Sequence, residues 1–265
     1  MKKVLFLQNE GNNYGGIWQV NKLVATELEK KGMDATIISI RNSRNNQIDK
    51  DNTKINNFII NENDVWGTYQ GMEILSELKK IHLFKAFLMI LSRIKYKISL
   101  KIDSRKLKRY IIHNKPDYII ASQYELLNMI PDSYLSRTIH QQHSSFSDFS
   151  NHLATMNTLF KYNNKIRYLW LSKETSEKCS DAGFNNNYYI YNAVRFKSNK
   201  RANVCDNKKL VTIARLAEQK DLGTMIEIVE EVFKNKKYND WVLEIYGTGP
   251  LEDMLKKKIK NKRKI

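Results

Sequence analysis

Apolar and polar positions fall into short alternating blocks along the first forty residues. "KVLFLQ" (3–8) is a continuous apolar run, the pattern of a strand covered on both faces. "NEGNNYGG" (9–16) is a turn rich in asparagine and glycine. "IWQVNKLVATELEKKG" (17–32) then places Ile17, Val20, Leu23, Val24 and Leu28 on one helical face, and Gly32 closes the helix. "DATIISI" (34–40) predicts a second strand. Together these form a βαβ unit, which favours a parallel sheet.

The blocks continue to the C-terminus. Residues 41–64 are polar and asparagine-rich and read as a long loop or weak strands. From Met72 to His113 the periodicity is helical and the charge strongly basic. "KPDYIIAS" (115–122) predicts a strand with the proline at its entrance. "RTIHQQHSSFSDF" (137–149) predicts a short strand running into a polar loop. Then come a strand at 166–172, a helix at 173–184 with Gly183 near its end, and a strand "NYYIYNAV" (187–194) reaching Asn192. A polar linker, 195–208, precedes a fresh βαβ start. This comprises a buried strand "KLVTIAR" (209–215), a helix from Leu222 to Lys234, "WVLEIYG" (241–247), a "TGP" turn and a basic helix from Leu251. The expected organisation is two doubly wound α/β units, 1–195 and 196–265, the second stopping after two strands and two helices. Open α/β sheets bind ligands at the carboxyl ends of their strands, so the loops of interest are 8–16, 121–125, 140–148, 192–196, 214–221 and 246–250.

Four of these loops carry candidate chemistry. Arg215 and Lys220 stand between a strand and a helix start, where backbone N–H groups and the helix dipole favour anions. A guanidinium gripping two oxygens with an ammonium beside it suits a diphosphate; a solvated basic loop is the bland reading. In "GTGP" (247–250) Gly247 and Gly249 allow close backbone approach to a ligand, or simply make a tight turn. Gly15 and Gly16 form no complete dinucleotide-binding fingerprint, so they read as a flexible loop beside a ligand or as a plain turn. "IHQQHSSFSDFSNH" holds His140, His143 and His152. Only Asp148 stands near them as a further ligand, so the loop reads as a cleft with a hydrogen-bonding histidine, or as surface, rather than a metal site.

Composition adds one strong fact: Lys+Arg exceeds Asp+Glu by 45 to 28, a net charge of +17. Such an excess predicts an anionic partner. Nucleic acid is not expected, because no zinc-finger, helix-turn-helix or aromatic RNA-binding signature is present. Residues 79–110 mix large apolar side chains with lysines and arginines and hold one acid, Asp103. They suit an anionic membrane surface, or a core-facing helix with a solvated basic face. Cys179 and Cys205 sit in no redox or metal spacing and read as reduced thiols. The start, "MKKVLFLQNEG", reads as a strand rather than a secretory signal. The expected location is cytoplasmic, peripheral on the inner face of the plasma membrane.

In their order these pieces resemble the family 4 glycosyltransferases of the GT-B fold. The resemblance is carried by the first strand with its Gly-Gly loop, "KPDYIIAS", the histidine loop, "YNAV", "ARLAEQKDLGTMIE" and "VLEIYGTGPLEDML". It implies an N-terminal Rossmann-like parallel sheet holding the acceptor and a second, incomplete Rossmann-like domain holding a nucleotide-diphosphate sugar. Arg215 and Lys220 would then stabilise charge on the departing diphosphate in place of a metal, with no cofactor. His140 or His143 would be the cleft histidine. Gly15 and Gly16 would line the cleft from the first half, and Gly247, Gly249 and Asn192 would border the donor. The reaction would be transfer of a hexose, with retention, to a cell-envelope polysaccharide, glycolipid or glycoprotein.

One departure stands out. The family places a Glu-x7-Glu pair on a segment that would lie beyond Ile265. The same spacing at Glu244 and Glu252 spans a strand, a turn and a helix start, and is a coincidence. The expectation is therefore a chain truncated in its second domain, weakly active or inactive alone, or completed by a partner polypeptide or missing C-terminal segment. The second reading is a non-catalytic glycosyltransferase-like subunit or remnant.

Overall fold

In the computed structural model, which describes residues 1–11, 15–42, 56–61, 83–194, 207–238 and 240–260, the first apolar run forms β1 (Lys3–Gly11). Val4 to Leu7 are all buried, and alternate residues enter different cores. Leu5 and Leu7 join the cluster that includes Leu107 and Ile111, whereas Val4 and Phe6 pack with Trp18 and Ala25. This is the period-two geometry of a strand between two helical layers.

The chain divides into two units, Met1–Arg195 and Phe196–Ile265. In the first, seven parallel strands run in the order β3-β2-β1-β4-β5-β6-β7. They are β1, β2 (Asp34–Asn42), β3 (Asn56–Asn61), β4 (Tyr118–Ala121), β5 (Thr138–Gln141), β6 (Arg167–Trp170) and β7 (Asn187–Tyr189). The helices are α1 (Gly16–Lys30), α2 (Leu83–Asn114), α3 (Phe146–Ser150), α4 (Leu153–Lys161) and α5 (Lys173–Asp181). From β1 the chain steps outward to β2 and β3, and then α2 carries it back to β4 on the other side of β1. Strand order reverses between β1 and β4, which makes their carboxyl ends a topological switch point.

Several expectations change. In α1 the buried residues are Trp18, Asn21, Lys22 and Ala25, while Ile17, Val20, Leu23, Val24 and Leu28 are only partly covered. The helix is rotated because Asn21 reaches the sheet: its Nδ2 donates to Gln8 Oε1 at 2.9 Å and to Ser122 Oγ at 3.0 Å. The asparagine-rich region 41–64 contributes the end of β2 and all of β3, and the rest of it lies outside the described residues. The strand expected over 187–194 pairs only through Tyr189. Cys179 is a buried free thiol; Cys205 lies outside the described residues, as do 72–82 of the basic helical region.

α2 is 32 residues long, with Ala86, Met89, Asp103, Leu107 and Ile111 as its buried positions. Asp103, its lone acid, makes a buried ion pair with Arg41 Nη2 at 3.1 Å. Asn61 Nδ2 donates to the other carboxylate oxygen at 3.0 Å, and Ser99 Oγ donates to the first at 3.3 Å. This network ties α2 to the carboxyl ends of β2 and β3.

The second unit consists of β8 (Lys209–Ile213), α6 (Leu222–Phe233), β9 (Val242–Tyr246) and α7 (Glu252–Ile259). β8 and β9 pair in parallel. Leu243 packs with Leu222, Ile226, Val229, Phe233 and Leu255 on one face of this small sheet. The apolar run expected to be buried is instead largely exposed: Val211 is 54% and Ile213 82% accessible, beside Tyr246 at 54%. Within this unit the helices cover one face of the two strands, so the alternate side chains of β8 remain open to solvent.

Candidate functional site

At the switch point, β1 leaves its apolar pattern at Gln8. This side chain is buried and donates to the Glu10 carbonyl at 2.7 Å and to Ser39 Oγ at 3.1 Å, while it accepts from Asn21. Ser122, just after β4, returns a bond to Asn21 Oδ1 at 3.3 Å, and Gln123 Oε1 accepts from the Asn9 backbone at 3.0 Å. Side chains from β1, β2, α1 and the loop after β4 thus fix the carboxyl edge of the sheet. Sequence reasoning missed this network. The signal was there, in a glutamine ending an apolar run and an asparagine on the same helical stripe as Trp18 and Ala25.

The two candidate histidines have different environments. His140, in β5, is fully buried. Its Nδ1 lies 3.0 Å from the Ala121 carbonyl and must be the donor there; its Nε2 lies 3.0 Å from the Gln142 side-chain amide. Burial pushes its pKa down to about 4, so the ring is neutral and Nε2 is an acceptor. A neutral Nε2 is best served by the Gln142 NH2 group, with that amide's oxygen accepting from Ser144 Oγ. Both ring nitrogens of His140 are therefore engaged in joining β4, β5 and the loop after it.

His143, in that loop, is partly exposed, and burial also lowers its pKa to about 4. Its Nε2 is buried and has no hydrogen-bond partner. The loop is held by a capping box: Ser145 Oγ accepts from the Asp148 backbone N–H at 3.4 Å, and Asp148 Oδ2 accepts from the Ser145 N–H at 3.2 Å. Asp148 is thereby occupied in starting α3. Among the described residues no group of three or more His, Cys, Asp or Glu could hold a metal ion.

Gly15 is the N-cap of α1 and Gly16 its first residue, both exposed at the same end of the sheet; a side chain at Gly16 would meet open space. Asn192 is exposed in the irregular stretch after β7.

In the second unit the loops after β8 and β9 are zipped together. Ala214 N–H donates to the Tyr246 carbonyl at 3.0 Å, Leu216 N–H to Thr248 at 2.9 Å, and Leu251 N–H to Leu216 at 3.0 Å. The contact is so close that a Cβ on Gly247 would lie 1.9 Å from the Ala214 oxygen, and one on Gly249 2.3 Å from the Leu216 oxygen. The glycines of "GTGP" are thus required by backbone packing.

This zipped pair carries Arg215 and Lys220, both exposed. Arg215 Nη2 donates to the neutral Gln219 Oε1 at 3.5 Å, its one side-chain partner among the described residues, and Lys220 ends a short 3-10 turn, Glu218–Lys220. The start of α6 is not open as expected. Asp221, in left-handed conformation, is its N-cap and accepts from Thr224 N–H at 3.4 Å. The cations, rather than bare helix amides, are what this loop offers an anion. Glu244 and Glu252 are each engaged nearby, with Lys209 and Lys256.

No family model matches the sequence, and no curated protein sequence matches it either. Among solved structures, TarM superposes with a TM-score of 0.63 at 13% identity, covering 99% of this chain and 74% of TarM. A variant of S. aureus TarM in complex with fondaparinux, alpha-GlcNAc-glycerol and UDP superposes equally well, with a TM-score of 0.63 at 13% identity, covering 98% of this chain and 75% of its own. MurG from Acinetobacter baumannii aligns over 97% of this chain and 70% of its own at 10% identity, with a TM-score of 0.39, too loose to bear on the fold. At such identities the likeness speaks to architecture alone: the chain has an α/β, GT-B-like fold.

Proposed function

We propose that this chain serves a retaining, family 4-type glycosyltransferase that moves a hexose from a nucleotide-diphosphate sugar to a cell-envelope glycan, glycolipid or glycoprotein. In this reading the second unit takes the donor, and Arg215 and Lys220 neutralise charge on the departing diphosphate without a metal. The observation that carries it is the pair of exposed cations with no carboxylate partner among the described residues, on a loop zipped to the "GTGP" turn of a GT-B-like fold. UDP in the TarM variant complex supports a nucleoside diphosphate as the ligand class. The first unit takes the acceptor. There His143, neutral and with an unused ring nitrogen, is better suited to a substrate hydroxyl than His140, whose nitrogens are both engaged.

No helix among the described residues is long and apolar enough to cross a membrane. The N-terminal half of α2 nevertheless exposes Leu83, Phe84, Phe87 and Leu88 among cations such as Arg93, Lys95 and Lys97, which supports contact with an anionic bilayer surface.

The test is thermal stabilisation by UDP, followed by a scintillation assay of sugar transfer. A melting shift that is lost in the Arg215→Ala, Lys220→Ala double variant is expected. A shift of equal size in that variant would remove the clamp from consideration.

A further inference from the structure

A second cationic site lies wholly within the first unit. We infer that it binds a chain of phosphodiester-linked units, so that the acceptor is polyanionic rather than a neutral glycan. This inference rests on the reading of the first unit as the acceptor side.

The site is a cavity of about 760 Å³ between the carboxyl ends of β1 and β2, the turn after β4, and α2. That volume lies within the range of dedicated ligand pockets. Ile40, Leu100 and Met129 form an apolar part of its lining. One wall is a single stripe of α2: Lys101, Ser104, Arg105 and Lys108 lie at i, i+3, i+4 and i+7. Across from them is Arg41, whose guanidinium is set by the buried pair with Asp103 and stacked at 4.8 Å on Tyr96.

Charge decides the ligand class. Arg41 is balanced by Asp103, but Lys101, Arg105 and Lys108 have no ion-pair partner among the described residues. Glu10 and Glu125 also line the cavity, so anions are favoured at the α2 wall rather than throughout. At 1.5 Å rise per residue, the three cations step along the helix axis by about 6 Å and then about 4.5 Å. A row of that kind meets successive phosphates on one chain better than a lone phosphate, and a neutral sugar has no use for it. The apolar lining accommodates the carbon skeleton between phosphates.

The experiment uses the whole 265-residue chain without donor and follows binding of a synthetic phosphodiester-linked glycerol hexamer by calorimetry. Saturable binding is expected, falling as salt rises. It should weaken at least tenfold in the Lys101→Gln, Arg105→Gln, Lys108→Gln variant, with the UDP melting shift unchanged. Equal binding of maltohexaose would overturn the proposal, as would unchanged affinity in the triple variant or displacement of the hexamer by an equal concentration of inorganic phosphate. Phosphatidylglycerol vesicles captured through these three residues while the hexamer is ignored would overturn it in favour of a membrane contact. Hexamer binding with no UDP shift would defeat the donor reading and leave this one standing.

Discussion

Lowering the pH from 8 to 4.5 should destabilise the first unit, with a separable contribution from His140. The ring is fully buried, and desolvation holds its pKa down to about 4, against the hydrogen bond that Nδ1 donates to the Ala121 carbonyl, which acts the other way. In the unfolded chain an imidazole titrates near 6.5. Between those values the unfolded state binds a proton that the folded state refuses, so stability falls as pH falls through the window from about 6.5 to about 4. At pH 4.5 the linkage relation gives a loss of roughly 2–3 kcal/mol relative to pH 8. The assay is urea unfolding of the wild type and of His140→Gln at a series of pH values, followed by tryptophan fluorescence. His143 and the carboxylates are common to both proteins, so the difference between their pH slopes isolates residue 140. The wild type should lose roughly 2–3 kcal/mol more than the variant between pH 8 and 4.5. Parallel slopes, or an NMR titration of the His140 ring centred near pH 6.5, would refute the account of a buried neutral imidazole.

Asp103→Asn leaves the Arg41 guanidinium buried against a neutral amide and should cost about 3–5 kcal/mol in urea unfolding, because removing one partner strands the other charge. Gly249→Ala should lower the melting temperature of the second unit, since the new Cβ would lie 2.3 Å from the Leu216 oxygen and the two loops must separate to admit it. Loss of UDP stabilisation in the same variant would follow from displacement of Arg215, and a wild-type melting curve would show that the zipped contact is wrong.

Much of the fold was legible because it depends on periodicity. The apolar run at 3–8 and the blocks that follow it spell out a parallel sheet. The βαβ start at 209 returned as β8, α6 and β9, with α6 ending one residue before Lys234. What periodicity could not convey was anything set by a distant partner. The α1 face turned because Asn21 meets Gln8 and Ser122 across the sheet. β3 formed from "NNFIIN" because β2 offered it an edge, and the strand at 187–194 stopped at Tyr189, the last residue paired with β6. At the site, sequence left His140 and His143 open, and three positions of separation proved to mean opposite hydrogen-bonding states at Nε2. The glycines of "GTGP" were visible, but their steric reason, the Ala214 and Leu216 carbonyls, lies some thirty residues upstream.

The net charge of +17 says only that some anion is wanted; the pairing of the cations says where. A lysine already joined to a carboxylate must surrender that partner before it can take a phosphate, whereas an unpaired one gives up only water. In the second unit, Lys208 pairs with Asp240, Lys209 with Glu244, Lys234 with Glu231, Lys256 with Glu252 and Lys258 with Glu227, all outside the loop after β8. The loop after β8 has acids at hand in Glu218 and Asp221, yet Asp221 is turned to cap α6 and Arg215 meets only an amide. In the first unit the one acid of α2 is likewise withdrawn into the core to hold Arg41, and Lys101, Arg105 and Lys108 stay unmatched along the same helix. At both loci the acid closest in sequence to the cations, Asp221 in one and Asp103 in the other, is engaged elsewhere. That is the condition a phosphate site must meet, and raw composition cannot report it.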